Sequence, residues 1–307
     1  MRDINFAKKK FSIIGLELTN YCIMRCIMCP RTYRMNREKG HMSMELFKKI
    51  IDEYADISPL GDAGYGPGTI WLHLYGESLL SPIFDEAISY TNYKGLKPML
   101  SLNPLALTKE KMERLLNAKP YLLYLMLDGC DEESFSNLRG VSGKYEESVK
   151  NTLMFLELKD KLKSDVRTFI VCVDIPGYND IIDKTQSFWK IHGAEAIEDF
   201  LRKPFCDWNG SIKEITDFAD NWSYGKCVNP WHTISITWDG IVVPCCYDYD
   251  KFYPLGDVNL DSLIDIWNGE KMRNLREEFS NGNITNMLCK TCYQGGKTKT
   301  SSLVSAS

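Results

Sequence analysis

The sequence has no excess of positive charge. Its 37 Lys and Arg against 41 Asp and Glu give a net charge of −4, which leaves no basic footprint for nucleic acid or an anionic membrane. It also has no apolar run approaching the length of a membrane span. The stretch MRDINFAKKKFSIIGLEL starts basic but contains neither a long apolar core nor a small-residue cleavage site, so no export signal is expected. There is no internal repeat, and histidine is scarce, with 4 in 307 residues. What remains is a composition of 44% hydrophobic and 25% charged residues, that of a soluble globular protein with one large domain or two ordinary ones. A cytoplasmic location is expected.

Cysteine, by contrast, is plentiful. Eleven thiols in a reducing compartment point to metal or catalytic roles rather than disulfides. Seven of them fall into two ligand-like groups. The first is Cys22, Cys26 and Cys29 in NYCIMRCIMCP, spaced C-x3-C-x2-C. Three thiolates on one short loop can hold three irons of a cubane iron–sulfur cluster, leaving the fourth open to an exogenous molecule. An open coordination position marks a catalytic metal rather than a structural one. Structural zinc usually takes two paired C-x2-C or C-x2-H units, and the nearest histidine here is His41. The motif resembles that of the radical S-adenosylmethionine (SAM) superfamily. One departure is Met28, where that family typically has an aromatic residue.

Along the first 200 residues, short apolar runs alternate with amphipathic segments. Strands are expected over 11–18, 69–75, 97–103, 121–128, 167–174 and 194–201, with helices over 43–55, near 82–92, from Thr108, over 131–158 and near 178–191. Ser43 reads as a helix cap with Glu45 in the first turn. Six strand–helix alternations imply an α/β fold, a partial (β/α)6 TIM-like barrel with a parallel sheet. The cysteine loop follows the first strand, at the end of the barrel where active sites lie. The expected organisation is a barrel over 1–205, a bridging segment over 206–226, a small domain over 227–296 and a disordered tail over 297–307. The small domain offers a β-hairpin, 233–238 and 241–244 around an Asp239-Gly240 turn, followed by a helix over 261–280.

The second cysteine group lies in that domain. Cys227 precedes the hairpin, Cys245 ends it, and Cys289 and Cys292 close the region as C-x2-C. Spacing alone leaves zinc and a 4Fe–4S cluster equally open. The pattern C-x12-G-x4-C followed by C-x2-C resembles the twitch form of the SPASM module, which implies one auxiliary 4Fe–4S cluster held by these four residues. Cys246, beside Cys245, reads either as a small buried residue or as a thiol facing the substrate, able to donate a hydrogen atom. Cys130, Cys172 and Cys206 read as buried residues, with Cys206 a weaker alternative donor.

Further matches to the superfamily concern SAM itself. Gly76-Glu77 resembles its G-G-E-P motif, which implies a contact to the SAM amino group, although Tyr75 and Ser78 replace the outer residues. An ordinary turn is the bland alternative. Ser101 and Asn103 stand where the family contacts ribose, and Arg139 in LDG…LRG matches an arginine that reaches the SAM carboxylate. Asp128 could equally cap the following loop.

The resemblance implies two 4Fe–4S clusters, SAM and a reductant such as flavodoxin or ferredoxin. The reaction is hydrogen-atom abstraction by a 5′-deoxyadenosyl radical from a small polar, carbohydrate-like substrate or a short peptide. Two-electron oxidation, with the auxiliary cluster accepting an electron, would make the chain a dehydrogenase like the aminocyclitol-oxidising members. Epimerisation with Cys246 as hydrogen donor is the alternative, and an electron-transfer or scaffold protein the non-enzyme alternative. Only about ten residues precede the first strand, too few for the peptide-recognition region of many peptide-modifying relatives. Trp208, Trp231, Tyr247 and Tyr249 could line a sugar site or belong to the core, and Glu17, Asp207 and Asp248 are candidate proton acceptors.

Overall fold

The computed structural model describes residues 10–57, 59–62, 64–175, 177–192, 199–206, 208, 227–290 and 292. The expected bridge over 206–226 lies outside them apart from Cys206 and Trp208, and so does the expected tail over 297–307. Asp207 is likewise outside.

The elements follow the alternation in the sequence: β1 (Ser12–Leu16), α1 (Pro30–Tyr33), α2 (Met44–Asp56), β2 (Thr69–Trp71), α3 (Phe84–Tyr93), β3 (Lys97–Leu102), α4 (Lys109–Ala118), β4 (Leu122–Met126), α5 (Glu132–Arg139), α6 (Tyr145–Lys161), β5 (Arg167–Asp174), α7 (Asn179–His192) and β6 (Asp199–Pro204). Several helices start where the sequence provides caps, α2 and α4 among them. The Ser43 hydroxyl accepts from the Leu46 N–H, and the Thr108 hydroxyl from the Lys111 N–H, satisfying N–H groups that have no partner in the first turn. The helical segments expected over 131–158 are α5 and α6, separated where the chain turns left-handed at Gly140 with φ of 68°.

Strands β2 to β6 form one parallel sheet in the order β2-β3-β4-β5-β6, the curled wall of a partial barrel. Period-two alternation sorts its side chains. Leu100, Leu102, Leu123, Leu125 and Ile170 pack with Phe47, Ile50, Ile51 and Tyr54 of α2 in the core between sheet and helices, each contributing roughly 1.5–3 kcal/mol by burial. The inner face carries Trp71, Met99, Leu122, Tyr124, Phe169 and Val171.

β1 differs from a sixth barrel strand in its ladder. It pairs in parallel with β7 (Thr233–Ile236), which continues through β8 (Ile241–Val243) and β9 (Gly256–Asp257) as an antiparallel meander. A Cβ on Gly15 would lie 2.6 Å from Leu74 Cδ1, so β1 still runs directly beside the chain that leaves β2. The cysteine-bearing strand therefore belongs to the barrel by packing and to the C-terminal region by hydrogen bonding. Around the meander lie α8 (Asn229–His232), α9 (Leu263–Trp267), α10 (Glu270–Asn281) and α11 (Met287–Lys290). The single expected helix over 261–280 breaks at Asn268-Gly269, between α9 and α10. Among the described residues no helix is long and apolar enough to cross a membrane.

Candidate active site

The loop that carries Cys22, Cys26 and Cys29 is held by backbone bonds to the end of α5. The Arg25 N–H donates to the Arg139 carbonyl at 3.0 Å and the Ile27 N–H to the Leu138 carbonyl at 3.1 Å. Gly140 makes this docking feasible, since a Cβ there would sit 2.2 Å from the Arg25 carbonyl oxygen. The Trp208 indole closes the loop from above, donating to the Met28 carbonyl at 2.7 Å. Burial first, then the Glu77 charge, pushes the Cys22 thiol up to about 12, and burial followed by Cys26 pushes Cys29 up to about 11. Binding a metal there releases these protons.

A cavity of about 200 Å³ lies against the loop at the C-terminal end of the sheet. Its wall contains all three loop cysteines together with Gly76, Glu77, Ser101, Asn103 and Arg139. Eight residues singled out by sequence pattern, spread over four segments of the chain, thus meet around one space.

The ends of β2 and β3 lead into Gly76, Glu77, Ser101 and Asn103, and the end of α5 presents Arg139. Gly76 has φ of 92°, and a Cβ would lie 2.4 Å from the Thr19 carbonyl oxygen; only glycine permits both the backbone angle and the approach. The next residue, Glu77, is 2% exposed. Its carboxylate accepts from the Asn103 N–H at 2.7 Å and the Leu79 N–H at 3.1 Å. Burial outweighs those bonds and lifts the carboxyl to about 7. The Asn103 Oδ1 accepts from the Leu105 N–H at 3.1 Å, whereas its Nδ2 is buried without a partner. Arg139 is 6% exposed. Its Nη1 donates to Cys26 Sγ at 3.5 Å, and Nη2 lies 3.0 Å from Asp128 Oδ2. That ion pair is not aligned as a hydrogen bond, so Nε and Nη2 remain unused donors in the cavity wall. Asp128 thus anchors Arg139, and its Oδ1 accepts from the Val173 N–H at 2.6 Å. The chemistry of this wall suits an amino-acid head group. A carboxyl able to ionise against an ammonium stands at one side, and a guanidinium with spare donors for a carboxylate at another.

The second group also converges. Cys245 feels the charges of Cys289 and Cys292, and Cys289 those of Cys292 and Cys227. Burial raises both Cys245 and Cys289. The Asn286 side chain fixes the α11 end by accepting from the Cys289 N–H at 2.9 Å. Among the described residues, no three His, Cys, Asp or Glu side chains converge tightly enough to hold a single ion. A cluster asks for a looser set, because each thiolate binds a different iron.

Several expectations change at this level. Cys246 is not among the residues of the cavity wall; it packs, half-buried, against the cluster of Leu74, Tyr75 and Tyr249, of which Leu74 and Tyr75 line the cavity. Its carbonyl accepts a short hydrogen bond from the Tyr75 hydroxyl. Trp231 and Tyr249 are core residues, whereas Trp208 faces the cavity. Glu17 is no free base, because it is fully buried in a bidentate pair with Arg37 at 2.5 and 2.7 Å. Asp248 is spent on the N–H groups of Phe252 and Tyr253 at 2.6 and 3.0 Å. Cys172 is an interior thiol bonded to the Leu127 carbonyl. Sequence reasoning overlooked His73, which lines the cavity with its Nδ1 buried and unpartnered. The signal was available: a polar residue on the inward register of an apolar run, two positions beyond Trp71.

A barrel with a three-thiol loop at its strand ends, and a second thiol group beyond it, defines an enzyme that combines iron–sulfur clusters with a bound amino-acid-like cofactor. The chain belongs to the radical SAM superfamily, whose family model matches residues 16–188. A second model, an iron–sulfur cluster-binding domain of the SPASM type, matches residues 227–293. It is a radical SAM enzyme whose cofactors are SAM and two iron–sulfur clusters. Among curated relatives, the S-adenosyl-L-methionine-dependent 2-deoxy-scyllo-inosamine dehydrogenase of Niallia circulans is 22% identical over 92% of this chain and 93% of its own. An AdoMet-dependent heme synthase of Methanosarcina barkeri is 29% identical over 45% of this chain and 37% of its own. Among solved structures, BtrN in complex with AdoMet and 2-DOIA superposes with a TM-score of 0.60 at 19% identity, covering 92% of this chain and 93% of that one. Streptococcus suis SuiB bound to its precursor peptide SuiA gives 0.67 at 16% identity, covering 92% and 70%.

Proposed function

We propose that the chain is a radical SAM dehydrogenase that oxidises a small polar, carbohydrate-like substrate by two electrons, reduced by a flavodoxin or ferredoxin. The observation that carries this reading is the single cavity walled by Cys22, Cys26, Cys29, Gly76, Glu77, Ser101, Asn103 and Arg139. The three cysteines would ligate the first cluster. Glu77 and the backbone at Gly76 would take the SAM ammonium, Arg139 its carboxylate, and Ser101 with the spare Asn103 amide its ribose. Cys227, Cys245, Cys289 and Cys292 would ligate the auxiliary cluster. Bound in these two sites, SAM and the clusters supply hydrogen-atom abstraction by a 5′-deoxyadenosyl radical and an acceptor for the second electron. The chain divides accordingly into a barrel over 1–205 and an auxiliary module over 227–296. Near-complete mutual coverage with the inosamine dehydrogenase supports a small-molecule substrate. Under anaerobic reconstitution with SAM and dithionite, the chain is expected to form 5′-deoxyadenosine. No 5′-deoxyadenosine, together with no SAM-perturbed EPR signal, would refute the assignment.

The Glu77 site gives a pH prediction. An ammonium needs the ionised carboxylate, and burial places this group at about 7 in the free protein. Binding then costs a proton release below that pH, so SAM affinity should fall roughly tenfold per pH unit as pH drops below 7, and level off above it. Glu77→Gln should bind weakly at every pH. A flat affinity profile for the wild type would show that Glu77 does not meet the ammonium.

A second reading, epimerisation with Cys246 as hydrogen donor, draws on the packing of Cys246 against the cluster that holds Leu74 and Tyr75 of the cavity wall. In an epimerase, Cys246→Ala should still cleave SAM but lose inverted product, and product made in deuterated water should carry deuterium at carbon. In a dehydrogenase, the substitution should leave the oxidised product unchanged.

A further inference from the structure

The inner face of the barrel holds a cation that nothing described so far explains. Lys203, on β6, is the cross-strand partner of Val173, which lines the cavity. Its ammonium reaches across the lumen to lie 4.4 Å from the ring centre of Tyr124 on β4 and 5.5 Å from that of Trp71 on β2. Among the described residues it has no hydrogen bond and no ion pair. The neighbouring Arg202, on the outer face, pairs with both Asp174 and Asp183. Ring faces attract a cation, but they leave the three N–H donors of an ammonium unmet.

The surroundings select what would meet them. Asp62 is close enough to act on Lys203 electrostatically, yet its oxygens are engaged by the Trp71 indole N–H at 2.9 Å and the Gly64 N–H at 2.8 Å. Tyr65 and Tyr124 bond to each other through their hydroxyls. Cys246, at the edge of the C-terminal module, also lies within electrostatic reach of the ammonium. His73, two residues beyond Trp71, carries the buried, unpartnered Nδ1 in the cavity wall and feels the charge of Lys203. A half-buried ammonium with open donors, one strand away from the cavity-lining Val173, and an unpartnered imidazole nitrogen in the cavity wall within its electrostatic reach are two unmet polar groups on the inner side of the barrel.

We infer that the substrate is anionic, a polyol-like molecule bearing a carboxylate or phosphate that Lys203 binds, with His73 as second contact. This rests on the radical SAM dehydrogenase reading and narrows its substrate class. It also sets the chain apart from an inosamine oxidiser, since the amine of a cationic aminocyclitol would face the Lys203 charge at this position.

The test uses the full chain with both clusters reconstituted and SAM bound, titrated calorimetrically. The probes are myo-inositol 1-phosphate and glucuronate, their neutral counterparts myo-inositol and glucose, and 2-deoxy-scyllo-inosamine. At least one anionic probe is expected to bind about tenfold or more tightly than its neutral counterpart, with the inosamine weakest. Preference for the phosphate or for the carboxylate identifies which group Lys203 reads. Lys203→Met, compared at equal iron content, should erase the difference, and Lys203→Arg should retain it. Equal binding of anionic and neutral probes, tighter binding of the inosamine, or a preference that survives in Lys203→Met would each overturn the inference. Its failure is distinguishable from that of the broader reading. Lost anion preference with intact 5′-deoxyadenosine formation refutes only the substrate class, whereas absent SAM cleavage with intact anion preference refutes the dehydrogenase.

Discussion

Cys26→Ala is expected to lower the iron content of the reconstituted chain from about eight to about four per molecule and to reduce 5′-deoxyadenosine formation below detection. Cys26 is buried at the centre of the loop, between Cys22 and Cys29, with the Arg139 guanidinium 3.5 Å from its sulfur. Two remaining thiolates cannot hold a cubane whose fourth iron must stay open, so the loss is of the whole site rather than of a fraction of its activity. Cys245→Ala should give the complementary result. It should remove the other four irons, about half the total, and abolish substrate oxidation while SAM cleavage persists. Cys172→Ala is the internal control, because that thiol is an interior residue bonded to the Leu127 carbonyl. Iron analysis paired with product quantification checks all three. Retention of the full iron complement in Cys26→Ala would remove that cysteine from the ligand set.

Much of this was legible in the chain itself. Cysteine spacing is a local property that survives folding, and so are the caps at Ser43 and Thr108 and the alternation of strand and helix. The residues proposed to hold SAM were readable because Gly76, Glu77, Ser101 and Asn103 lie at or just beyond strand ends, where the barrel places its active site, and because Arg139 stands in a recognisable motif. Three features were not. The ladder between β1 and β7 joins segments more than two hundred residues apart, as does the bond from the Trp238 N–H to Glu17; no local pattern encodes such a pairing. Of the sixth strand, expected over 194–201, residues 194–198 lie outside the described residues; its described part continues past 201 to Pro204, an end that the charges conceal in the sequence. Arg202 faces outward to two aspartates while Lys203 turns inward, and charges in both registers hide the apolar alternation. Glu17, finally, reads as a possible base in sequence because nothing local shows that Arg37 consumes it.

That pair carries the second large effect. Glu17→Gln is expected to lower the unfolding free energy by ~3–5 kcal/mol, measured by urea denaturation of the reconstituted protein. Glu17 is fully buried and the Arg37 side chain is 3% exposed. Removing the carboxylate charge strands the guanidinium away from water and sets an amide N–H₂ against its N–H groups, a cost the lost attraction does not describe. The pair also joins three parts of the molecule. Glu17 follows β1 and accepts from the Trp238 N–H at 3.1 Å in the hairpin turn. Arg37 follows the cysteine loop, and its Nε donates to the Tyr249 carbonyl at 2.7 Å. Asp250 pins the same segment through the N–H groups of Asn36 and Arg37 at 2.8 and 2.9 Å. Breaking the pair should therefore loosen the C-terminal module from the first cysteine loop and slow substrate oxidation more than SAM cleavage. The double variant Glu17→Met, Arg37→Met separates the charge from the contact: with no stranded cation, its stability should recover most of what Glu17→Gln loses. A cost below about 1 kcal/mol for Glu17→Gln would place the pair with ordinary exposed ion pairs and leave the hairpin ladder alone to hold the two cluster sites in register.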